Sequence, residues 1–333
     1  MMSLPSYIQL EPVGQCNLRC QMCPIQFRQD GPPHGPPAFM EWELFTQVID
    51  DLPTLSELHL QGLGEPMMHP RFFDMITHAA SRGINVTTNS NVTLLTRERA
   101  EKCVTSGLST LHVSLDAATQ ETYERIRVRA HFDRVLRNLG HLRDAKRDLA
   151  SETPRVRLVM VLMRQNLEEL PTLVDLAGRL GIGTMFVQHL CHDFGESSLP
   201  AHYAPMRDFV SEQTLTGSDP ALIARVFEAA QRSACEAGVE LRLPRVEPTE
   251  HAAGTPGPQR CDWPWHGPYL SYQGYSMPCC MIATPDRGNF GRVGERSIAQ
   301  IWNGPEYEAF RAALASDDPP SICKSCSVYR GVF

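Results

Sequence analysis

The sequence predicts an α/β protein: a partly open barrel of six parallel strands, each followed by a helix, with a cysteine-rich unit at the C-terminus. Three observations carry this expectation. Apolar runs of strand length alternate with stretches of helical spacing through the first 190 residues, the pattern of β–α units in series. Helical stretches stop at Gly83, Gly107 and Gly181, each just before the next apolar run, where a residue able to adopt a left-handed conformation ends a helix. The chain's 11 cysteines gather mainly near its two ends.

Taken in order, "YIQLEP" is a short strand that runs into a cysteine loop. "MEWELFTQVIDDL" has helical spacing at Met40, Leu44, Phe45, Val48, Ile49 and Leu52. "SELHLQGLGEP" is a strand ending in a Gly/Pro loop, and "PRFFDMITHAASRG" is the helix after it. The strand "INVTTNSN" precedes the helix "TRERAEKCVTSG", and the strand "STLHVSLDA" precedes a helix expected from 120 to 146. "RVRLVMVLM", the helix "NLEELPTLVDLAGRLG" and the strand "GTMFVQHL" complete six units. Six strands are too few to close an eight-stranded barrel, so the barrel is expected to stay partly open. Residues 1–200 are expected to form it. Residues 201–260 are expected to be a bridge of two helices, a short strand "VELRLP" and the Pro/Gly-rich loop "EPTEHAAGTPGPQR" reaching over the barrel. The cysteine-rich unit then spans 261–333.

The 333 residues suffice for a large core, and 42% hydrophobic with 21% charged residues is a globular composition. A net charge of −7 without a basic run argues against nucleic acid as a partner. No signal sequence and no apolar run of membrane-spanning length stands in the chain, so the expected compartment is the cytoplasm. There, clustered cysteines point to metal ligation rather than disulfides. Cys16, Cys20 and Cys23 form one group; Cys261, Cys279, Cys280, Cys323 and Cys326 form another; Cys103, Cys191 and Cys235 stand apart. Three thiolates are one short of a full set, which leaves a metal position open.

In parallel barrels ligands sit at the C-terminal ends of strands. There the sequence places the cysteine loop, then Gly62–Pro66 ("GLGEP"), then Asn89, Ser90 and Asn91, then Ser114 and Asp116, then Gln188, His189 and Cys191. The glycines are expected to let backbone approach a ligand, and Glu65 to accept from an ammonium group.

These motifs resemble the radical S-adenosylmethionine (SAM) superfamily. The spacing of Cys16, Cys20 and Cys23 is similar to its cluster motif, with Met22 where an aromatic residue is usual. The resemblance implies a (β/α)6 partial TIM-like barrel over the first 200 residues and a [4Fe–4S] cluster on three thiolates. SAM would chelate the open iron. "GLGEP" resembles the motif that binds the SAM amine, with Leu63 in place of a glycine, which assigns Gly62, Gly64, Glu65 and Pro66 to SAM. The resemblance places Asn89, Ser114 and Asp116 on ribose or carboxylate, Arg127 of "ETYERIR" on the SAM carboxylate, and Gln188 facing the site. Met160 and Val161 would either pack on adenine or belong to the core.

The segment from Cys261 through Gly274 to Cys279, with "CKSC" at Cys323 and Cys326, resembles the auxiliary-cluster domain called SPASM, in its short twitch form. Only seven residues follow Cys326, so one auxiliary [4Fe–4S] cluster on Cys261, Cys279, Cys323 and Cys326 is expected; four cysteines would also suit structural zinc. Cys280 would be a spare thiol or exchange with Cys279.

The resemblance implies reductive cleavage of SAM to methionine and a 5′-deoxyadenosyl radical, which takes hydrogen from a C–H bond, with a flavodoxin or ferredoxin as electron donor. Related twitch enzymes oxidise an aminocyclitol or epimerise aminoglycoside sugars. The sequence reading therefore favours a carbohydrate or aminocyclitol as small-molecule substrate. In epimerisation Cys191, or Cys280 as second candidate, would return hydrogen; in dehydrogenation the auxiliary cluster would accept the second electron. His189, His192 and Asp193 flank Cys191 as candidate hydroxyl binders. Peptide maturation is a third expectation, disfavoured because the motif begins at residue 16, leaving no room for an N-terminal peptide-capturing domain.

Overall fold

The computed structural model describes residues 2–31, 35–190, 194–249 and 261–332. Its strands in chain order are β1 (Tyr7–Leu10), β2 (Arg19–Cys20), β3 (Glu57–Leu60), β4 (Asn85–Ser90), β5 (Leu108–Ser114), β6 (Arg127–Val128), β7 (Arg155–Leu162), β8 (Thr184–His189), β9 (Glu240–Arg242), β10 (Tyr269–Leu270) and β11 (Ser276–Met277). Nine of them form one sheet in the order β11-β10-β1-β3-β4-β5-β7-β8-β9. The six predicted strands are its centre and pair in parallel. The chain is thus α/β with a parallel sheet, as its β–α alternation predicts.

Helices α1 (Trp42–Asp50), α2 (Phe72–Ala80), α3 (Arg97–Thr105), α4 (Gln120–Ile126), α5 (Phe132–Asp148) and α6 (Leu170–Arg179) alternate with those strands. Each presents an apolar stripe at helical spacing. Phe45, Val48 and Ile49 of α1 and Met75, Ile76 and Ala79 of α2 are buried in the same core cluster as Ile8, Leu58 and Val86 of the sheet. Thr96 starts α3 by accepting from Arg99 N, and Gly107 behind it sits at φ +88°. Next come α7 (Ala204–Gln213) and α8 (Pro220–Ala237), then α9 (Trp263–His266), α10 (Ile298–Trp302), α11 (Pro305–Leu314) and α12 (Ser321–Lys324).

Two features differ from expectation. The helix expected over 120–146 is two helices, α4 and α5, separated by β6. The chain leaves helical geometry at Arg127 (φ −98°, ψ 68°), and Arg129 takes a left-handed φ of +77°. The break is driven by tertiary contacts: β6 pairs antiparallel with β2, setting Cys20 opposite Arg127, and Arg127 reaches Asp116 at 2.6 Å. Helical spacing on both sides conceals this in sequence. The second difference is at the sheet edges. β9 adds beside β8, and β10 adds parallel to β1, so the C-terminal segment extends the sheet on its other flank.

The C-terminal segment is tied to the rest by buried polar contacts. Trp302, fully buried, donates to Ser3 O. Tyr203 and Thr284 hydroxyls lie 2.7 Å apart, and Arg287 pairs with Glu196 out of solvent. Among the described residues no helix is long and apolar enough to cross a membrane. Residues 250–260, most of the expected Pro/Gly loop, lie outside the described residues.

Candidate active site

The barrel encloses a cavity of about 560 Å³. Strand periodicity builds its wall, because alternate residues face inward: Thr87 and Asn89 on β4, His112 and Ser114 on β5, Phe186 and Gln188 on β8. The C-terminal segment supplies the side that six strands leave open, through Trp263, Tyr269, Cys280, Met281 and Ala283. Cys16, Cys20 and Cys23 line the cavity together. Leu18 N donates to Cys16 Sγ at 3.3 Å, and Arg127 and Cys20 Sγ lie 3.9 Å apart. Burial, then neighbouring Cys20, pushes Cys23 up to about 12, and burial, then Glu65 and Cys20, raises Cys16. Three thiols facing one cavity, with hydrogen-bond donors on their sulfurs, suit a site-differentiated iron–sulfur cluster.

Gly62 and Gly64 of "GLGEP" line the cavity and also meet a packing demand. A Cβ on Gly64 would lie 2.0 Å from Val13 O and 2.5 Å from Gln15 O, and one on Gly62 2.3 Å from Glu11 Cγ. They let this loop pack against the backbone leading to the cysteines, where Glu65 N donates to Gln15 O at 3.0 Å. Glu11 and Arg28, not anticipated from sequence, brace the same loop. Their side chains pair at 2.8 Å with no exposure, and Glu11 also accepts from Leu63 N at 3.0 Å. A buried pair of this kind holds geometry; losing one partner costs about 3–5 kcal/mol.

Glu65 lines the cavity, yet its carboxylate is already engaged. It accepts from Ser90 Oγ (2.7 Å), Asn91 N (2.9 Å) and Met67 N (3.2 Å), so it clamps the end of β4. Burial raises its pKa, against the pull of those bonds. Asn89 Oδ1 is buried at the cavity wall with no hydrogen-bond partner among the described residues, an acceptor suited to a ligand hydroxyl. Ser114 and Gln188 also face the cavity, whereas Pro66 does not and only begins the turn Pro66–Met68. Asp116 corrects the sequence expectation. It is fully buried off the cavity, pairs with Arg127 and accepts from Val161 N at 2.8 Å. Its part is to position Arg127, whose guanidinium lines the cavity. Val161 lines the cavity, while Met160 is core. His189, next to inward-facing Gln188, is 5% exposed and absent from the wall. Cys191, His192 and Asp193 lie outside the described residues.

Cys261, Cys279, Cys323 and Cys326 surround a second, apolar pocket with Phe310, Leu314 and Tyr329. Burial, then repulsion from neighbouring thiols, pushes Cys261, Cys279 and Cys323 up, Cys261 to about 11. The adjacent cysteines part company here. Cys279 lines this pocket and Cys280 lines the barrel cavity, while both pack against the apolar cluster that holds the other auxiliary thiols. Cys279→Ser is therefore expected to lose about half of the bound iron, and Cys280→Ser none, by iron analysis of reconstituted protein.

Sequence reasoning also missed the cavity floor. Thr87 Oγ1 and His59 Nδ1 lie 2.7 Å apart, His59 Nε2 reaches Gln61 Oε1 at 3.1 Å, and Gln9 Nε2 donates to that same oxygen. Gln61 Oε1 accepts, so Nε2 carries a proton, and with the ring kept neutral by burial Thr87 Oγ1 donates to Nδ1. Burial, then neighbouring His112, pushes His59 down to about 4; burial, then Arg157, does the same to His112. The clue was alternation: Gln9, His59 and Thr87 are polar residues on inward positions of strands. An unfolded imidazole takes its proton near 6.5, so between about 6.5 and 4 the unfolded state binds more protons. Stability is complete above that window and falls as pH drops through it, by about 2–3 kcal/mol for His59. Thermal melts of the metal-free protein from pH 7 to 4.5 should show that loss, and His59→Gln should reduce it.

Comparison with known proteins follows this geometry. Residues 10–177 match the Radical SAM superfamily, and residues 261–327 match SPASM, an iron–sulfur cluster-binding domain. The chain is similar to the tungsten-containing aldehyde ferredoxin oxidoreductase cofactor-modifying protein of Pyrococcus furiosus, 26% identical over 97% of this chain and 87% of that protein. It is 24% identical to the PqqA peptide cyclase of Rhodopseudomonas palustris over 97% of this chain and 80% of that protein. Its fold is similar to Streptococcus suis SuiB bound to S-adenosylmethionine, with a TM-score of 0.71, 14% identity, and coverage of 99% of this chain and 72% of that one. The first match brings SAM and a [4Fe–4S] cluster as cofactors and the second an auxiliary iron–sulfur site, which the two sets of thiols fit. The chain belongs to the radical SAM superfamily and carries a C-terminal SPASM domain.

Proposed function

We propose that this enzyme is a peptide maturase that uses SAM-derived radical chemistry to modify a side chain or backbone carbon of a precursor peptide. The observation that carries this reading is the alignment of nearly the whole chain with a peptide cyclase. The aminocyclitol reading rested on auxiliary-cysteine spacing, and neither relative named above is a carbohydrate enzyme. The position of the cysteine motif near the start of this sequence is no argument against a peptide.

In this proposal Cys16, Cys20 and Cys23 hold the SAM-binding cluster, and Cys261, Cys279, Cys323 and Cys326 hold one auxiliary cluster. Those groups supply electron transfer and, with SAM, a hydrogen-abstracting radical. The chain's own residues orient and enclose. Arg127, fixed by Asp116, offers a cation to the SAM carboxylate; Asn89 and Ser114 offer hydrogen bonds to ribose. Gly62, Gly64 and Glu65 shape the loop beside the SAM amine, and Val161 and Gln188 border it. The neutral floor of His59, Gln61 and His112 receives the substrate group.

The test is to reconstitute the protein anaerobically and supply SAM and reductant with peptides encoded beside its gene, and separately with an aminoglycoside panel. The proposal expects a mass change on a peptide, coupled to 5′-deoxyadenosine release. Turnover of an aminoglycoside with every peptide unchanged would overturn it.

A further inference from the structure

The inner face of the sheet changes character toward the N-terminal ends of its strands. Residues paired across neighbouring strands put their side chains on the same face. His112 and Phe186 line the cavity, so their ladder partners share its face: Arg157 of β7 lies opposite His112, and Arg242 of β9 opposite Phe186. Alternation agrees, since Arg157 stands two residues before cavity-lining Val159. Both guanidiniums lie over the Phe186 ring, Arg157 at 5.4 Å and Arg242 at 5.9 Å from its centroid. The His112 ring is 6.4 Å from the same centroid.

These donors are uncommitted. Among the described residues neither the Arg157 nor the Arg242 side chain has a hydrogen bond or an ion pair, on a chain of net charge −7. Glu240, two residues before Arg242 on β9, forms no ion pair with it. The ring nitrogens of His112 likewise have no hydrogen-bond partner among the described residues, and burial, then Arg157, keeps that ring neutral with one N–H to donate. A guanidinium over an aromatic ring keeps its edge of N–H donors for an anion, and that fork matches a carboxylate. Two guanidiniums beside one ring also repel one another, and an anion between them removes that cost. Arg157 stands four residues before Val161 on β7, so strand rise sets it about 13 Å from the layer assigned to SAM. About four extended residues span that length.

We infer that His112, Arg157 and Arg242, gathered on Phe186, form a carboxylate-binding subsite that holds an acidic residue of the substrate within about four positions of the modified carbon. The preference for a carboxylate stands on the subsite itself; that the carboxylate belongs to a peptide rests on the function proposed above. No bond is made or broken there. The subsite fixes which substrate residue comes to the reacting end of the cavity.

The experiment uses the reconstituted holoenzyme with SAM and takes glutarate as the probe, beside neutral glutaramide. Ligand-observed saturation-transfer magnetic resonance reads binding at about 50 mM and about 300 mM salt. Glutarate is expected to bind at least about tenfold more tightly than glutaramide, to weaken with salt, and to lose about tenfold in Arg157→Gln/Arg242→Gln. Arg157→Lys keeps the charge without the fork and should lose less. Iron content separates loss of the site from loss of the fold. If the double variant holds less iron, Arg242→Gln alone, on an exposed edge strand, decides the matter with an expected loss of about threefold. Glutarate bound no better than glutaramide, or equally well by the wild type and these variants, overturns the inference. With a peptide that is turned over, exchanging its acidic residue for the matching amide should raise KM about tenfold in the wild type and hardly at all in the double variant. Equal rises in both overturn the inference too. If no peptide is turned over while glutarate behaves as expected, the peptide reading fails and the subsite stands.

Discussion

Replacing Cys20 with serine is expected to lower 5′-deoxyadenosine formation at least about a thousandfold, equivalent to about 4 kcal/mol in the barrier. The C-terminal site should stay loaded. Cys20 lies on β2, is 8% exposed, and faces the cavity with Cys16 and Cys23. Three thiolates are the fewest that fix a cluster while leaving one iron for SAM, so two lose that arrangement. Among the described residues, Cys103 is core on α3, Cys235 is exposed on α8, and Cys280 lines the cavity from the C-terminal segment and not from this loop. Iron analysis with a product assay checks this. Wild-type turnover in Cys20→Ser would mean that other residues hold the cleaving cluster.

Gly64→Ala has the second large effect, on folding. The new methyl would overlap two backbone carbonyls, Val13 O at 2.0 Å and Gln15 O at 2.5 Å. Neither can rotate away as a side chain can, and Gln15 O already accepts from Glu65 N. Separating the two loops also loosens the Glu11–Arg28 brace, since Glu11 accepts from Leu63 N. A loss of about 3 kcal/mol or more is expected, with weakened cluster retention. Gly140→Ala is the contrast. Gly140 lies within α5, and a Cβ there meets nothing within 4 Å. It should stabilise by about 0.5–1 kcal/mol through helix propensity. Denaturant unfolding of the two metal-free variants measures both signs.

The central sheet was legible because each β–α unit carries its own period and its own stop. Thr96, Gly83, Gly107 and Gly181 mark their boundaries locally. The break at Arg127 was not legible: residues 120–148 keep helical spacing throughout, and what interrupts them is contact with Cys20, 107 residues away, and with Asp116, just before the segment. The cysteine motifs were legible as spacing, but spacing does not assign direction. Cys279 and Cys280 are neighbours whose side chains enter different pockets, a consequence of extended backbone at Cys279 (φ −166°, ψ 167°). The reading of Asp116 as a ligand contact failed for a related reason. A strand-end carboxylate looks the same in sequence whether it meets a ligand or orients an arginine. His59 and His112 were passed over because isolated histidines on strands carry no motif; their meaning comes from the barrel that sets them 5.9 Å apart at the cavity floor.

The account stands on two thiol sets holding two clusters, the first of them open to SAM. The most direct measurement is iron and sulfide content of the anaerobically reconstituted protein, with electron paramagnetic resonance of the reduced clusters before and after SAM. The prediction is about eight irons per chain and a signal in which one of two components shifts on adding SAM. In the variant lacking Cys16, Cys20 and Cys23, about four irons should remain, with a spectrum indifferent to SAM. About four irons in the wild type, or two components that both ignore SAM, would contradict it.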